Sequence, residues 1–301
     1  MGDAFRCADS AEARAEPLYG TASHVARWLL VEQPGSWGRD ALEQSRLPVR
    51  VARELRRRAR AAGVRVVLIR RGVRQASDRR HCYLVRTDDR GPRMWTVAFD
   101  RVDDVVDLDL AALRGDGAVE GATEARAPVF LVCTHGRHDA CCAMRGNEVS
   151  RVACAIEGTD VWECSHIGGD RFAANVVCFP HGVYYGRVGV ADAARLMDRY
   201  ARGMLSLDHF RGRSCHPFAV QAAEFFVRRG TDTIDVDAVT LLDASRTGDR
   251  LTAAFALGDT RRARVELRVS HSRQTYRLTC GATRPESVPR YELLRLDDAR
   301  S

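Results

Sequence analysis

Ala127-Pro-Val-Phe-Leu-Val-Cys133-Thr-His135-Gly-Arg-His138-Asp-Ala-Cys141-Cys142 is an apolar run that ends on a thiol and opens into a loop carrying two more cysteines and two histidines. Six residues before the thiol are apolar, as in a strand buried on both faces. Cys133 therefore sits where a strand gives way to a loop, the position at which sites are built. Downstream, Trp162-Glu-Cys164-Ser-His166-Ile-Gly168-Gly169-Asp170 ends a second expected strand. Cys164 and His166 are two apart and so share a face, and the glycine pair allows a close backbone approach before Asp170. Five of the ten cysteines and three of the nine histidines fall between Cys133 and Asp170. So many soft ligands in so short a stretch point to a metal or iron-sulfur site.

The spacing narrows the chemistry. Cys133 and Cys142 are separated by more residues than the two-residue knuckle of a structural zinc site, and a loop of that length can wrap a larger inorganic core. Cys141 and Cys142 diverge in direction, so one of them ligates. His135 and His138 either hydrogen-bond to the centre or lie in solvent, and Arg137 and Arg171 are candidates to balance its charge. Cys154 and Cys178 read as small core residues. Cys7, Cys82, Cys215 and Cys280 stand alone in the sequence and take no assigned role, with Cys280 the one chemical candidate in the C-terminal region.

The two stretches, together with Pro180-His-Gly-Val-Tyr-Tyr-Gly186, Glu16-Pro-Leu-Tyr-Gly-Thr-Ala22 and Arg27-Trp-Leu-Leu-Val-Glu-Gln-Pro-Gly35, resemble the sucrase/ferredoxin-like family over most of residues 7 to 230. That resemblance implies a thioredoxin-like [2Fe-2S] ferredoxin domain, whose cluster is held by two cysteines with eight residues between them and by the two histidines of a His-x-Gly-Gly-His motif. Carried onto this chain, the ligands are Cys133, Cys142 and His166. The last motif position is Asp170 instead of histidine. The fourth ligand is then either Asp170, in the family position, or Cys164, the softer donor two residues upstream of His166. Histidine ligation raises the potential and couples reduction to protonation, and a single imidazole weakens that coupling.

Composition bounds the remaining functions. The chain of 301 residues is 45% hydrophobic and 29% charged, as in ordinary soluble proteins. No apolar run is long enough for a membrane span, and the first ten residues lack the apolar core of a signal peptide, so a cytoplasmic protein with reduced thiols is expected. All 47 basic residues are arginine, which excludes Schiff-base and phosphate-loop lysine chemistry. The net charge of +7 and the run from Arg53 to Arg60, continued to Arg79 and Arg80, raise nucleic-acid binding. A solvated helix face is the plainer account, and a docking patch for an acidic redox partner protein lies between the two.

Periodicity predicts an α/β protein whose two halves repeat one order of elements, followed by a small C-terminal antiparallel β region; with the family resemblance, both halves are expected to be thioredoxin-like. The expected domains are residues 1–125 without a cluster, 126–210 holding it, and 211–301 as a helix plus β strands. In the first half, a strand at Val25–Glu32 precedes a helix from Arg39 to Ala62, broken near Pro48 and stopped by Gly63; strands at Val64–Ile69, His81–Arg86 and Met94–Phe99 follow. The second half repeats this: strand to Cys133, helix Cys141–Ile156, then strands Val161–His166, Asn175–Phe179 and Val183–Val188, and a helix Asp192–Leu205. Trp37 and Asp40 stand where the second half has its cysteine loop. Past Pro217–Arg229, a helix, five short strands are expected: Val239–Leu242, Leu251–Leu257, Arg264–Val269, Thr275–Thr279 and Tyr291–Leu296.

The expected function is one-electron transfer by a [2Fe-2S] carrier or oxidoreductase component, since no Gly-x-Gly-x-x-Gly follows a strand and no paired-carboxylate motif of a glycosidase is present. The alternatives are a thioredoxin-type thiol enzyme using Cys141 or Cys142, against which the absence of Cys-x-x-Cys counts, and a zinc-bearing or arginine-rich binding module.

Overall fold

In the computed structural model, residues 4–71, 79–88, 91–115, 117–258 and 260–300 are described. Residues 72–78 beside the arginine run, Asp116 and the first three residues lie outside them. After helix α1 (Cys7–Ala13), the first half runs β1 (Arg27–Glu32), α2 (Val49–Ala62), β2 (Arg65–Arg70), β3 (Arg80–Arg86), β4 (Arg93–Phe99) and the short β5 (Thr123–Glu124). The second runs β6 (Val129–Cys133), α3 (Ala140–Ala153), β7 (Asp160–Cys164), β8 (Val176–Phe179), β9 (Val183–Tyr185), α4 (Val190–Ala201) and β10 (Phe210–Arg213). Both contribute to one ten-stranded sheet in the order β10-β9-β8-β6-β7-β2-β1-β3-β4-β5. Within it the pairing of β2-β1-β3-β4 is repeated by β7-β6-β8-β9, each set having one parallel pair followed by antiparallel ones.

The sets meet along an antiparallel seam of two residue pairs, Ile69 with Cys164 and Arg70 with Glu163. The sheet curls over at this seam. Trp28 of β1 and Phe179 of β8 are four strand steps apart, about 19 Å along a flat sheet at ~4.8 Å per step. Their ring centroids are 5.4 Å apart. Residues of both halves thus close on one core, including Trp28, Leu30, Ile69, Leu131, Trp162 and Tyr184. The outer faces are covered by α2 over Leu29, Val31 and Leu84, and by α3 and α4 over Phe130, Val132 and Tyr185. Strands buried on both faces need unbroken apolar runs, and β6 is buried at every position. For the same reason Tyr184 and Tyr185 are both fully buried, on opposite faces.

Helix α2 buries Val51, Leu55, Ala59 and Ala62 at helical spacing and ends on Gly63, whose φ of +67° is the left-handed cap expected of that glycine. Residues 39–47, expected as its first part, form turns. Pro48 supplies the break: it stands at the helix start, where a proline costs no intrahelical bond. Arg53, Arg56, Arg57 and Arg60 occupy the exposed side of α2.

The C-terminal region is α5 (Phe218–Gly230) packed on a four-stranded antiparallel sheet of β11 (Val239–Thr247), β12 (Arg250–Leu257), β13 (Arg261–Tyr276) and β14 (Glu286–Arg300). β12 alternates buried and half-exposed residues, the signature of a sheet with one packed face. The expected strands at Arg264–Val269 and Thr275–Thr279 are largely one long strand, β13, whose register shifts between His271 and Thr275. No helix among the described residues is long and apolar enough to cross a membrane.

Under α5, Glu224 is buried between two guanidiniums: its Oε1 lies 2.9 Å from Arg213 Nε and 2.8 Å from Arg228 Nε. Burial works against its ionisation, but the two arginines prevail and hold the carboxyl below its usual range. Because the folded-state value is depressed, the network's stabilisation is complete above the ordinary glutamate pKa and is lost as pH falls through the folded value. Glu224→Gln leaves buried, uncompensated Arg228 and should cost about 3–5 kcal/mol in denaturant unfolding at neutral pH. The difference from the parent should shrink on acidification, and an equal difference at all pH values would contradict the assignment.

Candidate metal centre

The seam that joins the halves also sets the site. Ser165 follows β7 and locks onto β2, its N–H donating to Leu68 O at 2.8 Å and its Oγ accepting from Leu68 N at 3.0 Å. His166 is therefore delivered from a fixed strand end. Cys133 and Cys164 are register partners at the ends of parallel β6 and β7. Helix α3 brings Cys142 to them, and it does so because residue 146 is glycine. A Cβ there would lie 2.0 Å from the carbonyl oxygen of Cys133. Asp139 caps the helix, accepting from Cys141 N at 2.8 Å.

Cys133, Cys142 and His166 converge so that one donor atom from each lies within 4.8 Å of the others. Asp170 joins them: its Oδ1 is 3.2 Å from Cys142 Sγ and 2.9 Å from His166 Nδ1. The His166 contact is an ion pair, and among the described residues that buried nitrogen has no further hydrogen-bond partner. His138 stacks on His166 with centroids 3.6 Å apart and reaches to 3.8 Å from Asp170 Oδ2. Cys164 is fully buried and neighbours Cys133 alone among these donors.

Electrostatics favours a thiolate at Cys133. Contacts from the Cys142 and Cys164 thiols and from His166 outweigh burial and push its pKa down. Cys142 and Cys164 move up, Cys142 chiefly because it shares its proton with Cys133 and Cys164 chiefly by burial. For His166 burial opposes the charge, but Asp170 and Cys133 prevail and hold the imidazolium to about 9. A cation bound here would displace protons from His166 and Cys142.

His135 is not a donor to this centre. Its Nε2–H donates to Gly38 O at 2.7 Å and its Nδ1 accepts from His166 N at 3.2 Å, which fixes the neutral tautomer and holds the His166 backbone. Its ring meets Trp37 edge-on. The loop of the first half that carries Trp37 and Gly38 thus buttresses the cysteine loop of the second, a role that sequence spacing could not disclose. Arg137 is exposed, and Arg171 pairs with Glu16 at 2.8 Å.

The glycine pair is required by neighbours other than the thiols. Gly168 and Gly169 have φ of +100° and +81°, and Cβ atoms on them would lie 2.2 Å from Ser23 Oγ and from Arg211 Nη2. Arg211, fully buried, donates to Gly168 O at 3.1 Å and Asn175 Oδ1 at 2.7 Å, and Asn175 Nδ2 donates to Gly169 O at 2.9 Å. Both carbonyls of the turn are pinned, and Asp170 is held at the start of a short 3-10 turn. Sequence analysis did not single out Arg211; a lone arginine in an arginine-rich chain carries no signal.

On the open side, His138 and His166 line a cavity of about 440 Å³ that also takes in Arg39, Arg56, Arg60 and Arg65. Cys7 and Cys280, given no role from sequence, lie together with Cys141 and Asp139.

Three similarities accompany this geometry. The chain is 30% identical over 95 residues to altered inheritance of mitochondria protein 32 of the yeast Meyerozyma guilliermondii, a match that covers 28% of this chain and 34% of that protein. The chain thus spans about a third of that relative's length. Among solved structures, a cysteine-to-serine variant of the thioredoxin-like [2Fe-2S] ferredoxin from Aquifex aeolicus aligns with 28% of this chain and 95% of its own, at 18% identity and a TM-score of 0.24. The sucrase/ferredoxin-like family model matches residues 18–212, a span that includes the curled sheet from β1 through most of β10 and all of the residues converging at Cys133. By that match the chain belongs to the sucrase/ferredoxin-like family.

Proposed function

We propose that this protein transfers single electrons through one [2Fe-2S] cluster held by Cys133, Cys142, His166 and Asp170. The observation that carries this reading is the convergence of two buried thiols, an imidazole nitrogen without a hydrogen-bond partner and a buried carboxylate at the ends of β6 and β7. That donor set fits the cluster: two thiolates suit iron, and the remaining donors are of the types that replace cysteine where potentials are tuned. When bound, the cluster would supply one-electron chemistry. The surrounding residues orient its ligands, with His135 and Ser165 fixing His166 and Arg211 fixing the turn before Asp170. Both halves of the sheet are read as thioredoxin-like units, only the second carrying the centre.

Between the two candidates for the fourth ligand, contacts favour Asp170. It touches both Cys142 and His166, whereas Cys164 faces Cys133. Cys164 then acts as a thiol donor to the Cys133 sulfur, which stabilises negative charge there and tunes the potential. An anionic carboxylate in place of a second imidazole lowers the potential and weakens its pH dependence. Electrons would enter at the cavity beside His138 and His166. Its arginines, in a chain of net charge +7, suit the acidic face of a redox partner protein. Ten free cysteines accord with a reducing, cytoplasmic setting. Cys133, Cys142 and His166, with donor atoms within 4.8 Å of one another, would also supply three donors to a single tetrahedral zinc ion, which makes a zinc-bearing module the second reading.

Visible and electron paramagnetic resonance spectra separate the two. Anaerobically purified protein should be red-brown with about two iron atoms per chain, and Cys133→Ser or Cys142→Ser should abolish or severely reduce the colour. Colourless protein would end the cluster reading. For the fourth ligand, Asp170→Asn should lose most of the iron while Cys164→Ala keeps it with a shifted potential; the reverse pattern would move the assignment to Cys164. Asp170→His, which restores the family motif, should raise the potential and steepen its pH dependence, while His166→Cys should lower it. A potential unmoved in His166→Cys would make His166 a neighbour only.

A further inference from the structure

Three parts of the chain with no sequence proximity place thiols at one point. Cys7 begins α1, Cys141 lies in the first turn of α3, and Cys280 lies in the connection between β13 and β14. Cys141 Sγ and Cys280 Sγ are 3.4 Å apart, and Cys280 Sγ and Cys7 Sγ 3.6 Å. Asp139 completes the group, both of its carboxylate oxygens lying 3.6 Å from Cys7 Sγ. Cys7, Cys141 and Asp139 are at most 2% exposed, and Cys280 is half-buried, which leaves an entry path.

The separations discriminate among the possible roles. A disulfide needs sulfurs about 2.05 Å apart, and three thiols would leave one unpaired. Around one tetrahedral zinc ion, with bonds of ~2.3 Å to sulfur and ~2.0 Å to oxygen, sulfurs sit about 3.8 Å apart and sulfur and oxygen about 3.5 Å. The observed distances fall close to those edges. The carboxylate supplies an independent observation. Asp139 is buried, and among the described residues no arginine or histidine forms an ion pair with it. Its partners are the backbone N–H of Cys141 at 2.8 Å, the backbone N–H of Cys280 at 2.7 Å and the Cys7 thiol. A buried carboxylate beside three thiols is a donor set in want of a cation.

We propose that Cys7, Asp139, Cys141 and Cys280 form a second metal site, which takes a single zinc ion and is separate from the centre at Cys133. Zinc bound there ties the N-terminal helix and the connection between β13 and β14 to the first turn of α3. The next residue of that turn is Cys142, so the second site braces the helix that delivers a donor to the first. Cys141 and Cys142 each serve a different centre, which accounts for two adjacent thiols. This assignment stands whether or not the first centre holds iron.

The test is metal content of the full chain, purified anaerobically from cells supplied with zinc and iron, read site by site. Wild type should hold about one zinc per chain at this site. Cys280→Ser should lose most of that zinc while retaining the visible absorption of the parent, and Cys133→Ser should lose the visible absorption while retaining zinc. Circular dichroism establishes that Cys280→Ser is folded; should it not be, wild type treated with a zinc chelator serves instead, with alkylation of Cys7, Cys141 and Cys280 expected to rise many-fold on zinc removal. Zinc unchanged in folded Cys280→Ser, alkylation unaffected by the chelator, or a disulfide among the three cysteines in zinc-replete protein would each overturn the proposal.

Discussion

Two residue pairs between β2 and β7 hold this architecture together, because they turn two separate four-strand sets into one sheet. A seam that short permits the sheet to bend, and the bend brings Trp28, Phe179 and Tyr184 into one core. The same seam is the floor of the candidate metal centre. Cys164 is one of its members, Ser165 bonds across it to Leu68, and the next residue is His166. Arg70 pairs with Glu163 at 2.7 Å across the seam, and Glu163 also accepts from Thr134 in the cysteine loop at 3.3 Å. Joining the halves and placing the ligands are one structural event.

A second constraint works from the opposite side. Arg211 is buried, among the described residues no carboxylate forms an ion pair with it, and burial, the largest influence on it, lowers its pKa to about 10. Its charge is stabilised by the carbonyls of Thr21 and Gly168, the Asn175 side chain, the Thr21 hydroxyl and the rings of Phe172 and Tyr184. Such a group is costly to bury unless its donors are used, and here they hold the N-terminal arm and the Gly168-Gly169 turn in fixed relation. The turn before Asp170 is therefore rigid, as ligand positioning requires.

The C-terminal region packs around its own core, yet it is tied to the rest by Gln221, which clamps Ala22 by two hydrogen bonds, and by the contacts of Cys280 with Cys7 and Cys141. Each link joins residues far apart in sequence. Residues 21–23 bond to Arg211 of β10, to Gln221 of α5 and to Ile167, so three segments share one set of contacts.

Much of the chain could be read before its fold was known. Runs such as Val129–Cys133 are apolar at every position because strands buried on both faces demand it, and Gly63 ends α2 because only a left-handed cap fits there. Cys133, Cys142 and His166 could be singled out because their spacing is local and matches the family motif, and Asp170 because it stands where that motif has histidine, with Cys164 as its alternative. Residues whose roles depend on long-range contact were not. His135 looked like an exposed loop residue or a donor to the centre until Gly38 and the His166 backbone occupied its two nitrogens. Arg211 was one of 47 identical charges. Cys280 is 139 residues from Cys141 and 273 from Cys7 in sequence, and only the folded chain makes them neighbours. The sequence by itself determined the strands, helices and local ligand motif, which follow from periodicity and short-range geometry. Tertiary structure decided which polar groups are buried together, because burial and partnership between distant segments are properties of the packed chain alone.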